Sequence, residues 1–374
     1  MKSSFYLNDK MNFLESQLRA FKSCKRIVVI ESDDWGSERV PDSDVRRELI
    51  LRGLDMSSNP HSIYDTLERM DDLIAIKELF EWVWEQYGKK VKLTANFVTA
   101  NPAFEKIKSA GLSSYYFESF TETYYRRDND LGVINYLKCL IEEGYFIPQF
   151  HGREHINVQF WLDELRSKND NFLSAFDLGV YAIDVPTKRG TKNLMAALDF
   201  ETRDQLEFVK DSIRSGHSIF REVFGFSSQT FVAPRYVWSE ELNDTLVAQE
   251  IQSIQSGLYQ AVTDSDRRKR IQHYTGQKSR THPLYYSVRN VMFEPAYPGL
   301  DWLNTALKRV KTAFMFRTPA VISMHRVNFV GGLNRQRRDE NLDSLKRLLI
   351  NVIEAYPDVE FFGSNELCSE YIRS

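Results

Sequence analysis

Between Arg26 and Val40 the chain reads RIVVIESDDWGSERV, with the adjacent carboxylates of Asp33 and Asp34 directly behind an apolar run. Further on, HGREH spaces His151 and His155 four residues apart, and VISMHR ends another apolar run on His325. Imidazole and carboxylate are donors that a divalent ion takes at about 2.0–2.2 Å. One helical turn would put His151 and His155 on a common face, and Asp34 can supply a third ligand. Three protein ligands leave a position open for water or substrate, as catalytic metal sites require. Successive side chains of an extended strand point apart, so the two aspartates are expected to divide the work. One binds metal and the other handles protons. The chemistry is that of metal-assisted hydrolysis, with zinc the default ion and cobalt, nickel and manganese suited to the same donors.

Residues so far apart in sequence need a scaffold that gathers them at one rim. Short apolar runs at 27–30, 91–98, 146–150, 231–233, 251–254, 288–293, 320–324 and 359–362 read as buried strands. Helical patterns fall between several of them. From Asp71, Leu73, Ile76, Leu79, Phe80 and Val83 recur at three- and four-residue steps. A second helix begins at Thr202 with Gln205 completing a capping box, continues through Leu206, Val209 and Ile213, and is expected to stop at Gly216. A last one uses Leu342, Leu345, Leu349 and Val352 before Pro357. Alternating strand and helix predicts an α/β fold whose parallel strands end on one side. The residues after each strand then converge there: Asp33 and Asp34, His151 and His155, the turn Pro234, Arg235 and Tyr236, and His325.

The chain has 374 residues, 42% hydrophobic and 27% charged, with no Pro/Gly/Ser-rich linker or repeat, which predicts one compact unit. Its expected extent is a single catalytic domain over 1–374, with a core over about 25–372 behind a helical extension at 1–24. A net charge of −3 gives no positive field for a phosphate backbone, so nucleic acid is excluded as a general partner. No stretch has the length and apolarity to span a bilayer, and no secretory signal is evident, so a cytoplasmic location is expected. The three cysteines, Cys24, Cys139 and Cys368, are too scattered for a metal motif or disulfide framework and read as reduced packing residues.

The order of these pieces resembles the polysaccharide deacetylases of the NodB-homology type, metal-dependent carbohydrate esterases that remove N- or O-acetyl groups from sugars. ESDDWG, HGREH, FVAPRYVW and VISMHR look like that family's aspartate pair, His-x-x-x-His motif, arginine- and proline-containing turn and terminal histidine. The likeness spans about Lys25 to Ile372, with long insertions between Trp35 and Lys90 and between Leu112 and Glu143. It implies a distorted (β/α) barrel of about seven strands with its site at the C-terminal face. Asp33 would be the general base, Asp34, His151 and His155 the metal ligands, and His325 the general acid. The implied substrate is an acetylated saccharide, bound by Trp35, Tyr236 and Trp302, in bacterial surface polysaccharide synthesis. Two features depart from the pattern. Ser32 stands where the family has an aromatic residue, and Arg235 follows Pro234 where the family's arginine precedes it, leaving Val232 at the arginine position. Arg235 is the expected orienting partner of the base, with Arg153 and Arg326 as alternatives.

The remaining histidines, His61, His217, His273 and His282, follow no comparable strand and read as surface or structural residues. The basic runs Arg267 to Arg270 and Arg335 to Arg338 read as solvated loops, or as a grip on a phosphate-linked sugar. Two rival functions share the motifs. One is a hydrolase of a cyclic amide or formyl group, and the other is a non-catalytic carbohydrate-binding descendant.

Overall fold

The computed structural model describes residues 2–185, 187, 194–264 and 267–374, with the backbone alone for 2–10, 263–264 and 267–268. Among these, ten strands form one sheet. Its order is Gln277–Lys278, Tyr285–Val288, Ser253–Ser256, Thr230–Val232, Phe146–Phe150, Leu93–Phe97, Ile27–Trp35, Ala320–His325 and Val291–Met292, with Glu360–Phe362 beside the start of Ile27–Trp35. Every pairing is parallel except that of the edge strand Gln277–Lys278. Tyr285–Val288 and Val291–Met292 lie at opposite flanks of this order, yet only Arg289 and Asn290 separate them in the chain. The sheet therefore curls until one stretch of chain bonds Ser253–Ser256 with its first half and Ala320–His325 with its second. Counting 285–292 once, seven parallel staves make a distorted (β/α) barrel.

The staves are buried on both faces because each is covered twice: Ile27, Val28, Val29 and Ile30 are all buried, and so are the polar strand residues Glu31, Asn96 and Gln255. Helices Met70–Tyr87, Gly132–Glu142, Arg203–Phe224, Trp302–Met315 and Arg335–Ala355 lay their apolar stripes on the outside. No helix among the described residues is long and apolar enough to cross a membrane.

Gly216 does not end its helix. Arg203–Phe224 runs through it and closes on Gly225, at a φ of 79°. Gly216 is there for space, since a Cβ would lie 2.7 Å from Cβ of Arg153 in the HGREH loop. Helix propensity alone would make Gly216→Ala stabilising by about 1 kcal/mol. The opposite sign is expected in urea denaturation, because the loop's backbone has to move.

The basic runs are not solvated loops. Arg335 to Arg338 opens a helix capped by Asn334, and Arg338 is buried against Asp72 at 2.8 Å and Asp71 at 3.0 Å, tying two helices together. Arg267–Gln272 pairs with Tyr259–Asp264 in an antiparallel hairpin, and the Arg267 and Arg268 side chains lie outside the described residues. Of the cysteines, only Cys368 is a packing residue; Cys24 and Cys139 are exposed thiols.

Candidate active site

Asp33 pairs in register with His325 on the neighbouring strand, so base and acid candidates share the barrel's C-terminal rim. A shift in pairing with Leu93–Phe97 occurs between Ser32 and Trp35, and Asp34 takes a φ of 75°. That left-handed backbone costs a non-glycine residue roughly 1–2 kcal/mol. It breaks the alternation of the strand, which is why adjacent acids can serve one site. Gly36 follows at a φ of 79°, where a Cβ would stand 2.6 Å from the Val98 carbonyl oxygen.

His151 and His155 are brought together by a loop, not by the expected helical turn. Gly152, at a φ of 98°, breaks the helix. The segment is instead tied down by backbone bonds from His151 N to Phe97 O, Thr99 N to Gly152 O and Ala100 N to Arg153 O. The two rings lie 5.0 Å apart. His151 Nδ1 donates to the carbonyl oxygen of Val232 at 2.8 Å, which fixes the tautomer and leaves the Nε2 lone pair free. Asp34 Oδ1 stands 3.5 Å from His151 Nε2 and 3.2 Å from His155 Nε2. Burial holds His155 well below the usual histidine range, hence neutral and able to ligate.

Asp34 Oδ1 and His151 Nε2 are buried without a hydrogen-bond partner, as is His155 Nδ1. Buried polar atoms are seldom left so. Two ligands about 2.05 Å from a tetrahedral ion stand roughly 3.3 Å apart, which is the spacing found here. Asp34, His151 and His155 therefore fit a divalent ion, with ligand atoms all within 4.8 Å of one another.

Asp34, His61 and His325 also meet that spacing, but their surroundings are cationic. Arg39 Nη2 donates to Asp34 Oδ2 at 3.1 Å. Burial opposes the charge on Asp34, yet the Arg39 guanidinium outweighs it and keeps the carboxyl well below its ordinary range. His325 Nδ1 contacts Glu294 Oε1 at 2.6 Å, and although burial resists protonation, Glu294 carries the ring up to about 9. Arg39 thus already takes the oxygen of Asp34 that faces this cluster, whereas Asp34 Oδ1 and His151 Nε2 are left unpaired. Of the two clusters, the one with His151 and His155 fits an ion better.

The partner of Asp33, the expected base, is Arg289, not Arg235. Arg289 Nη1 donates to Asp33 Oδ2 at 2.6 Å and Nη2 to Oδ1 at 2.7 Å, while Nε takes Glu31 Oε2 at 2.6 Å. Asn96 adds a donor to Asp33 Oδ1 at 2.8 Å, and Gln255 accepts from Nη2. Burial would raise Asp33, but this guanidinium overrides it and holds the carboxylate ionised. Arg235 is exposed on the turn after Thr230–Val232, at a φ of 60°. The alternatives serve elsewhere. Arg153 bonds Glu154 and Ser215 and covers the Phe117 ring, and Arg326 is clamped between Asp65 and Glu68.

Of the expected substrate contacts, Trp35 is corrected. It is fully buried among Phe97, Phe146 and Phe329, its Nε1 donating to Ser32 Oγ at 3.0 Å, so Ser32 serves the indole of Trp35 and the ring cannot reach a sugar. Tyr236 is half-buried and its hydroxyl accepts from Arg289 Nη1 at 3.1 Å. Trp302 opens the helix Trp302–Met315 and donates to the Tyr297 carbonyl oxygen at 2.7 Å. His61 is not the surface or structural residue its place in the sequence suggests: its ring lies 5.3 Å from that of His325, edge to face. It follows no stave but comes from the short helix Pro60–Tyr64, within the insertion after Trp35.

No protein-family model matches the chain, and no curated protein matches it by sequence. Solved structures do. A provisionally assigned glycoside hydrolase/deacetylase from Parabacteroides distasonis aligns over 95% of this chain and 72% of its own, at 10% identity and a TM-score of 0.52. The chain shares the barrel fold of that structure. Puue allantoinase aligns over 95% and 91% at 10% identity and a TM-score of 0.48. A provisionally assigned polysaccharide deacetylase from Mycobacterium smegmatis aligns over 95% and 93% at 11% identity and 0.43. Some matched chains are longer: this one spans 40% of the 4-alpha-glucanotransferase from Thermococcus litoralis.

Proposed function

We propose that the protein is a metal-dependent hydrolase that removes an acetyl group from an amine or hydroxyl of a saccharide. The observation that carries the reading is a division between neighbours. Asp34 turns an unpaired oxygen toward two imidazoles, while Asp33 beside it is held by Arg289 and Asn96. A divalent ion on Asp34, His151 and His155 would supply Lewis acidity toward the acyl oxygen and water. Asp33 is the base. Its Oδ1 already accepts two donors, but Oδ2 accepts only Arg289 Nη1 among the described residues, so a lone pair remains for a proton from the attacking water. His325 is the acid, kept charged by Glu294 and placed across from Asp33 to protonate the departing nitrogen or oxygen.

The saccharide assignment rests on the resemblance of ESDDWG, HGREH and VISMHR to carbohydrate deacetylases, with the barrel likeness supporting the fold. Elemental analysis of the purified protein, paired with acetate release from a panel of acetylated saccharides, tests it. About one divalent ion per chain and chelator-sensitive acetate release are expected. Ring opening of cyclic amides or formate release from formyl compounds alone, or no turnover at all, would replace the reading by one of its rivals.

A further inference from the structure

The insertion after Trp35 builds a wall that the hydrolytic residues do not account for. His61 Nδ1 lies 3.0 Å from Asp65 Oδ2. Asp65 is completely buried between two guanidinium groups, with Arg326 Nη2 donating to Oδ1 at 2.7 Å and Arg39 Nε 3.2 Å from Oδ2. A carboxylate so paired is ionised and can only accept, so His61 Nδ1 must donate. The ring's other nitrogen, Nε2, has no partner among the described residues. The ring stays beside the reacting groups, because a nitrogen of His61 lies within 4.8 Å of one on His325 and of an Asp34 oxygen. Its side chain keeps 11% exposure at a rim where His325 keeps 32%.

We infer that His61 is a specificity residue that accepts a hydrogen bond from a substrate O–H or N–H next to the scissile acyl group. This rests on the proposed hydrolase reading. Asp65 fixes the ring's tautomer and tilt, Arg326 and Arg39 fix Asp65, and Tyr297 backs the ring edge to face at 6.0 Å. Arg39 already occupies Asp34 Oδ2, and with Arg326 it places two guanidinium groups beside this cluster, which disfavours a second cation there.

The test crosses enzyme and substrate. Wild type, His61→Ala and His61→Gln are assayed on an N-acetylated sugar with a free hydroxyl beside the acetamide and on its deoxy analogue, with metal content measured for each. His61→Ala should lose about tenfold in kcat/KM on the hydroxylated sugar, mostly through KM. It should be nearly indifferent on the deoxy sugar, keep wild-type metal content, and regain part of the loss as His61→Gln. An equal loss on both sugars, or loss of a second equivalent of metal on substitution, overturns the inference while leaving the hydrolase reading intact. Absence of turnover by the wild type instead sinks the hydrolase reading, a distinguishable outcome.

Discussion

Asp33→Asn is expected to keep its metal and lose kcat by a factor of about 10²–10⁴, the usual contribution of a positioned base. His151→Ala should instead lose most of the metal, because it removes one of three donors whose partners are already fixed. The asparagine is nearly isosteric, but its amide group donates where the carboxylate accepted. Arg289 presents two N–H groups to that position and Asn96 a third, so one of these donors faces another donor, at a cost of about 1–3 kcal/mol. Elemental analysis, single-turnover acetate release and a urea midpoint separate the effects. If both variants lost metal equally, the division of labour between Asp33 and Asp34 would be wrong.

What was legible in the sequence was whatever stood behind an uninterrupted apolar run. Phe146–Phe150 announced itself by five residues buried or nearly so, and its trailing histidines inherited a position at the rim. Arg289 escaped because it sits inside a run, in YYSVRNVMF, where the stave kinks between the barrel's two flanks. The signal was nonetheless present. A charged residue interrupting a buried strand requires a buried counter-charge, and VVIESDD offers Glu31 in the same predicament. Trp35 looked like a sugar platform because it follows the aspartates, but the irregular pairing at Asp34 turns its ring into the core. His61 carried no pattern at all. It is placed by the Asp65–Arg326 pairing between residues 261 positions apart, which no local spacing can express. The same limit applied to HGREH: four-residue spacing suits a helical face, yet the glycine within it dictates a loop.

Arg289→Met is expected to cost about 3–5 kcal/mol of folding stability. The side chain is almost completely buried and three of its donors face the carboxylates of Glu31 and Asp33. Methionine fills much of the volume, so the loss is electrostatic rather than a cavity. Two carboxylates remain in the barrel with no counter-charge between them, and burial already raises Glu31 even with the arginine present. Arg289→Lys should recover little, since one ammonium cannot reproduce a planar fork that grips Asp33 with two nitrogens and Glu31 with a third. Glu31→Gln in the Arg289→Met background should recover part of the loss by removing one stranded charge, though Ser364 then has to bond an amide in place of the carboxylate it now serves at 2.6 Å. Urea denaturation of the four proteins makes the comparison. An Arg289→Met midpoint within error of wild type would mean that the pairing is not what holds these acids in the barrel, and Asp33 would then need another source for its orientation as a base.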